Sequence, residues 1–375
     1  MPRRKTGSAK SLGGSAASDG GNWAVVMAGG PGTRFWPESR THCPKPFLKL
    51  LGPKTLLENT VERLYPLFPP SHIFIVLQAD LVSKAKRLLS RIPLENILGE
   101  PLVRNTAACC VYAASQIAER DPQARFVFIP SDQEIQPRPL YRASLKTALA
   151  LADDRPVLLG FQPTFPNPSY GYLEVGPARK IGSGLALHTV HRFHEKPSLS
   201  RARQFLKRGN FLWNGGTFAW RMDAFKQAVQ KYLPGLYPAF QKLAPFPGGS
   251  HDRRALARIY AELPKVSLDY GVMEKMRNVH CLRSALEWKD LGGWPGVSEF
   301  WPEDGQKNRV EGNAVLIRSR RNLVKSKDRL VALLGVDDLV VVDTPDALLI
   351  CPRSETEQIR EVVRELEKKK GRKHL

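Results

Sequence analysis

The chain has 375 residues, with 57 Lys and Arg against 36 Asp and Glu and a formal charge of +21. Its length suits roughly two or three domains, and no apolar run reaches the ~18 residues of a membrane-spanning helix, so no membrane partner is expected. The cation excess suits either nucleic acid or an enzyme whose substrates are phosphorylated anions. Without a helix-turn-helix, zinc-finger or RNP string, nucleic acid is not the expected partner.

Residues 1–21 are rich in Ser, Gly and Ala, with four basic side chains against one acidic. They lack the apolar stretch of a secretory signal, so a disordered basic tail is expected, a transit peptide being the alternative. Residues 24–27 form a short apolar run of the kind that makes a buried strand. Gly29, Gly30, Pro31 and Gly32 follow, then Arg34, and Lys45 between two prolines. A Gly-rich loop at the carboxyl end of a strand is where open α/β sheets bind ligands. Bare amides flanked by two cations suit a polyphosphate. The string is neither the P-loop nor the dinucleotide fingerprint.

Helical spacing covers residues 56–67, a strand covers 72–77, and a second helix covers 80–89 with Asp80 placed to cap it. A short strand ends near Glu100, and an Ala-rich helix runs over 106–119 with Asn105 near its N-cap. Residues 125–129 read as a strand, 140–152 as a helix and 156–161 as a strand. This alternation predicts an α/β fold with a doubly wound, mostly parallel, Rossmann-like sheet. The stretch 170–291 mixes strands and helices and is expected to extend that sheet. A linker is expected at 303–306. Short β-runs at 314–317, 323–324, 330–334, 339–342 and 347–350 then suggest a small β-helix-like domain. A final amphipathic helix spans 356–370. The expected division is a catalytic domain at 22–304 and a β-rich domain at 305–375.

Asp132 directly follows the strand at 125–129, at the sheet edge that carries the glycine loop. One carboxylate there can hold Mg²⁺; a helix N-cap is the alternative. Asp290 precedes Gly292 and Gly293, which let the backbone turn sharply beside a ligand. Glu195–Lys196 offers a carboxylate for hydroxyls and an ammonium for phosphate, or a solvated ion pair. Asn214–Gly215 reads as a hydroxyl partner or a plain β-turn. The cysteines, five in number, include no Cys-x-x-Cys, so neither disulfides nor structural zinc are expected, and a cytoplasmic location fits.

Gly29-Gly30-Pro31-Gly32-Thr33-Arg34-Phe35-Trp36-Pro37, with Pro44-Lys45, resembles the signature of the sugar nucleotidylyltransferases, and within them the mannose-1-phosphate guanylyltransferase family. The resemblance implies that this loop, Thr33 included, wraps the nucleoside triphosphate and that Arg34 and Lys45 contact its phosphates. Trp288-Lys289-Asp290-Leu291-Gly292-Gly293-Trp294 resembles the element whose Asp joins Asp132 on the metal, Mg²⁺ or Mn²⁺. Glu100-Pro101 and Arg104-Asn105-Thr106-Ala107 resemble a string of the guanylyl branch. Glu100 is expected to choose guanine, because a carboxylate accepts from N1–H and the 2-amino group together. Gly171 in Tyr170-Gly171-Tyr172, Glu195, Lys196 and Asn214 match sugar-phosphate positions. Ser267-Leu268-Asp269-Tyr270 resembles a further family string whose Asp269 is expected to line the sugar site, a helix cap being the alternative. Pro46, Gly215 and Gly293 depart from the usual Gln, Ser and Ser.

These matches imply GMP transfer from GTP to mannose 1-phosphate, giving GDP-mannose and pyrophosphate. They also imply a form without the isomerase domain of some relatives, and a homodimer through the C-terminal domain. The alternatives are another sugar 1-phosphate or nucleotide, such as glucose 1-phosphate with UTP or dTTP, and a non-catalytic sugar-nucleotide-binding subunit.

Overall fold

A computed structural model describes residues 21–182, 184–249, 252–369 and 372–375. The expected basic tail lies outside them, save Gly21. The main sheet is built from β1 (Asn22–Met27), β2 (Ile73–Gln78), β3 (Ile97–Glu100) and β4 (Arg125–Pro130), then, past the short β5 (Gln133–Gln136), from β6 (Val157–Phe161), β7 (Tyr172–Val175), β8 (Arg179–Gly182), β9 (Leu185–His194), β10 (Phe211–Arg221) and β11 (Val279–Ser284). Its order is β3-β2-β1-β4-β10-β6-β11-β9-β7, with β8 on β9. Eight of these ten strands run one way, and β9 and β10 run against them. The mostly parallel sheet expected from the first 160 residues is present, with β10 inserted between β4 and β6.

Period-2 alternation divides β1 between two cores. Trp23 and Val25 face one layer, with α3 (Asn105–Arg120), while Ala24 and Val26 face the other, with α1 (Leu56–Glu62), α2 (Val82–Leu88) and α4 (Arg138–Leu151). A strand buried on both faces reads as a continuous apolar run, which is why β1 was legible.

Two local expectations are corrected. The helix expected to Leu67 stops at Glu62, four residues before Pro66, whose ring and missing N–H disfavour a longer helix. Asp80 caps nothing: it lies in a 3₁₀ turn, Ala79–Leu81, and α2 begins after Leu81 with no side-chain cap.

The strand β12 (Glu287–Asp290) pairs with β5 in a separate two-stranded sheet. The C-terminal sheet is β13 (Arg309–Ile317), β14 (Leu323–Leu334), β15 (Leu339–Asp343) and β16 (Leu348–Pro352), in that order. β13, β14 and β15 are parallel neighbours and β16 closes antiparallel. Parallel neighbours joined by so few residues make successive turns of a coil. Asn308 and Asn322, fourteen residues apart, stack between those turns: Asn322 Nδ2 donates to Asn308 Oδ1 at 3.1 Å and to the Val336 carbonyl at 2.9 Å. A third core joins this coil to the glycine-loop segment, through Phe35, Trp36, Leu291, Trp294, Leu323, Val340 and Ile359.

Within β13 the register breaks after Gly312, which has φ +113°, and a Cβ there would overlap the Ser326 carbonyl oxygen. Gly312→Ala is expected to cost about 1–3 kcal/mol by denaturant unfolding. Gly305→Ala, in open space, should stay within about 0.5 kcal/mol of the parent.

Candidate active site

The two aspartates meet because β5 and β12 form a small antiparallel ladder. Asp290 lies opposite Gln133, the residue after Asp132, and the Leu291 N–H reaches the Asp132 carbonyl at 3.4 Å. Stacking holds this ladder on the main sheet: the Trp288 ring lies 5.1 Å from Phe161 at 12°, with Tyr170 edge-on at 5.0 Å. The sequence reading missed β5, whose four residues, Gln133 to Gln136, carry one apolar side chain. Asp132 is no helix cap, since α4 starts at Arg138 behind Pro137.

Lys45 sits between the two carboxylates, its Nζ 2.7 Å from Asp132 Oδ2 and 3.9 Å from Asp290 Oδ1. Burial pushes Asp290 up to about 6; Lys45 opposes the shift and the neighbouring Asp132 charge adds to it. Lys45 lies in a 3₁₀ turn, Lys45–Phe47, where the departure Pro46 is buried and fits the turn's start. Gly32 has φ +63°, and a Cβ on it would overlap Lys45 Cβ, so this glycine is what lets the lysine pack against the loop. Gly30 has φ +99°; at Gly29 nothing lies near a built Cβ.

Arg34 is not a free cation beside the loop. Its Nη2 lies 2.6 Å from Oε2 of Glu357, in a turn before the last helix. No motif in the sequence pointed to Glu357. Arg34, Asp290, Gly292, Gly293 and Glu357 line one cavity of about 430 Å³. A serine at Gly293 would meet Arg34 Cβ at an ordinary 3.8 Å. Thr33 lines a separate cavity with Trp36 and Arg40.

A second cavity, of about 390 Å³, gathers Gly29, Gly30, Glu100, Arg104, Asn105, Asp132 and Asp269. Its floor includes Met27, Cys109 and Cys110. Burial lifts the Glu100 carboxyl to about 8, against one long hydrogen bond from Tyr260 at 3.4 Å. Arg104 donates to the carbonyls of Tyr260 and Ala261 at 2.7 and 2.8 Å. Asn105, the first residue of α3 at φ +67°, accepts from the Thr106 N–H at 2.9 Å, while the N-cap position is Arg104 and no side chain caps the helix.

The remaining residues converge from four elements. The Asn214 N–H donates to the Gly171 carbonyl at 2.8 Å, and its Nδ2 to Asp269 Oδ1 at 3.2 Å. A Cβ on Gly171 would lie 2.7 Å from Glu195 Oε2. Glu195 Oε1 pairs with Lys196 Nζ at 3.0 Å, yet the Glu195 side chain is only 9% exposed, which rules out a merely solvated pair. Burial raises Glu195, against the pull of Lys196. Burial also raises Asp269, to about 7, with Glu195 adding to the shift. Asn214–Gly215 is not a β-turn but an irregularity inside β10, where pairing with β6 shifts register. Any side chain at Gly215 would overlap Phe161, which explains why serine is absent there.

The sequence profile of the nucleotidyl transferase family matches residues 23–306, and that of the MannoseP isomerase/GMP-like beta-helix domain matches 312–366. The chain is 33% identical over 343 residues to a mannose-1-phosphate guanylyltransferase of Escherichia coli, covering 90% of itself and 72% of that protein. It is 32% identical over 350 residues to one from Sinorhizobium fredii, covering 91% and 67%. A solved structure from Thermus thermophilus, described as a mannose-1-phosphate geranyltransferase, superposes with TM-score 0.82 at 35% identity, covering 92% of this chain and 99% of that one. The chain belongs to the mannose-1-phosphate guanylyltransferases, within the nucleotidyl transferase family.

Proposed function

We propose that this protein transfers GMP from GTP to mannose 1-phosphate, releasing pyrophosphate and forming GDP-mannose. The observation that carries the reading is one cavity shared by the glycine loop, the base-side Glu100, the first aspartate and Asp269 of the sugar cluster. Residues 22–304 form the catalytic domain in this reading, and 305–375 the β-rich domain.

A phosphate oxygen of mannose 1-phosphate forms a bond to the α-phosphorus of GTP, and the bond from that phosphorus to the bridging oxygen breaks. The attacking oxygen is already ionised at neutral pH, so no general base is required. Catalysis then consists of positioning and charge neutralisation. Lys45 and Arg34 stabilise charge developing on the leaving pyrophosphate. Glu195, Asn214 and Asp269 accept from or donate to sugar hydroxyls, Gly171 gives the ring room, and Lys196 meets the sugar phosphate.

Asp132 and Asp290 suit Mg²⁺, or Mn²⁺ in its place. They are hard oxygen donors of like charge that already share one counter-cation. Among the described residues no group of three or more acidic, His or Cys side chains could hold a metal, so water and phosphate oxygens would complete the shell. When bound, the ion supplies charge neutralisation at the phosphate oxygens.

Pyrophosphate release with GTP and mannose 1-phosphate, and its loss on chelation, tests the reading. A panel with UTP, dTTP and glucose 1-phosphate should turn over poorly; preference for one of those pairs would replace it. Arg34→Ala should fold normally and lose on the order of 100- to 1000-fold in rate.

Glu100 gives a pH signature. Guanine needs its ionised form, and burial holds the free carboxyl at about 8. Below that pH each GTP bound releases a proton, so affinity should rise by about tenfold per pH unit and level off above 8. Titration calorimetry in buffers of different ionisation heat reads this proton, and Glu100→Gln should abolish it.

A homodimer through the C-terminal sheet is part of the proposal. Val315, Ile317, Leu330 and Leu334, on the paired ends of β13 and β14, are 46–61% exposed. Neighbouring exposed side chains of this size mark an interaction face, and a second copy supplies an equally apolar one. Ile317→Asp with Leu334→Asp should halve the mass seen by sedimentation; an unchanged mass places the contact elsewhere. A cytoplasmic location accords with five free thiols and with no helix among the described residues long and apolar enough to cross a membrane.

A further inference from the structure

The β-rich part of the chain reaches the first cavity through Thr356 and Glu357. How Glu357 is held there matters more than the ion pair itself. Its turn, Arg353–Gln358, is tied at the start by the Arg353 N–H donating to the Asp338 carbonyl at 2.8 Å, and by Arg353 Nη1 donating to the Arg321 carbonyl at 3.0 Å. Thr356 Oγ1 closes the turn on the Arg353 carbonyl at 3.0 Å. Beyond the turn, Ile359 is buried in the same core as Phe35, the neighbour of Arg34. The two sides of the Arg34–Glu357 contact are thus anchored in one apolar cluster, at Phe35 and at Ile359.

An exposed ion pair adds little stability. Orientation is another matter. An arginine side chain has many rotamers, and a phosphate-binding guanidinium must present its planar fork at one angle. Glu357 Oε2 lies 2.6 Å from Nη2, and a guanidinium carries five N–H donors in a planar fork, more than one carboxylate contact uses.

We propose that Glu357 is a positioning residue of the active site: by fixing the Arg34 guanidinium it aims that cation at the nucleotide phosphates, and the C-terminal domain thereby completes the catalytic machinery. This rests on the reading of Arg34 as a phosphate-binding cation.

Steady-state pyrophosphate release by Glu357→Ala and Glu357→Gln, beside the parent protein, tests it. Alanine should lower kcat by about tenfold, leave KM for mannose 1-phosphate unchanged and leave the melting temperature unchanged. Glutamine still accepts from Arg34 through Oε1 and should recover most of that loss. A Glu357→Ala enzyme as fast as the parent, or faster, overturns the inference. So does equal loss in both variants with a lowered melting temperature, which would make the contact structural only. Parent turnover keeps the two readings apart: an inactive parent overturns both, while an active parent with an indifferent Glu357→Ala variant overturns this one alone.

Discussion

Two carboxylates from distant parts of the chain share one ammonium, and the rest of the site is arranged around that contact. Burial lifts Asp290 to about 6, with Lys45 opposing the shift and the Asp132 charge adding to it. The fold makes the encounter obligatory. The β5–β12 ladder sets Asp290 against Gln133, and aromatic stacking of Trp288 on Phe161 holds the ladder on the sheet. Gly32, lacking a Cβ, lets Lys45 pack against the glycine loop. Each partner is delivered by a different local device, so the cluster is a property of the tertiary structure and not of any one motif.

That division explains what could be read in advance. β1, β2 and β4 are buried on both faces and announce themselves as apolar runs, and α3 follows from its alanine-rich stretch. Glu195, Asn214, Asp269 and Gly171 could be placed together because their strings resemble a family pattern, and in the structure they touch. β5 was hidden, since four mostly polar residues give no periodic signal; it exists because β12 pairs with it. Glu357 was hidden for a different reason: it acts through a contact with Arg34 far along the chain, in a turn of ordinary composition. The end of α1 was overrun because apolar spacing continues past Glu62 while Pro66 forbids the helix.

Two of the three departures from the family pattern have a local fit in the structure. Gly215 is required by Phe161, and Pro46 is at home in a 3₁₀ turn. At Gly293 nothing prevents a serine. The coil of β13 to β16 packs on the glycine-loop segment through Phe35, Trp36 and Trp294, with Lys325 reaching Glu38 at 3.2 Å. The glycine-loop segment, the residues just after the ladder and the coil therefore share one core.

The account stands on Asp132 and Asp290 serving one divalent ion between them. Titrating Mn²⁺ into the protein with a non-hydrolysable GTP analogue, followed by electron paramagnetic resonance, addresses this directly. The account predicts one tight site per chain, weakened by at least about tenfold in Asp132→Asn and again in Asp290→Asn, consistent with loss of a carboxylate ligand. Undiminished Mn²⁺ binding in both variants would contradict it.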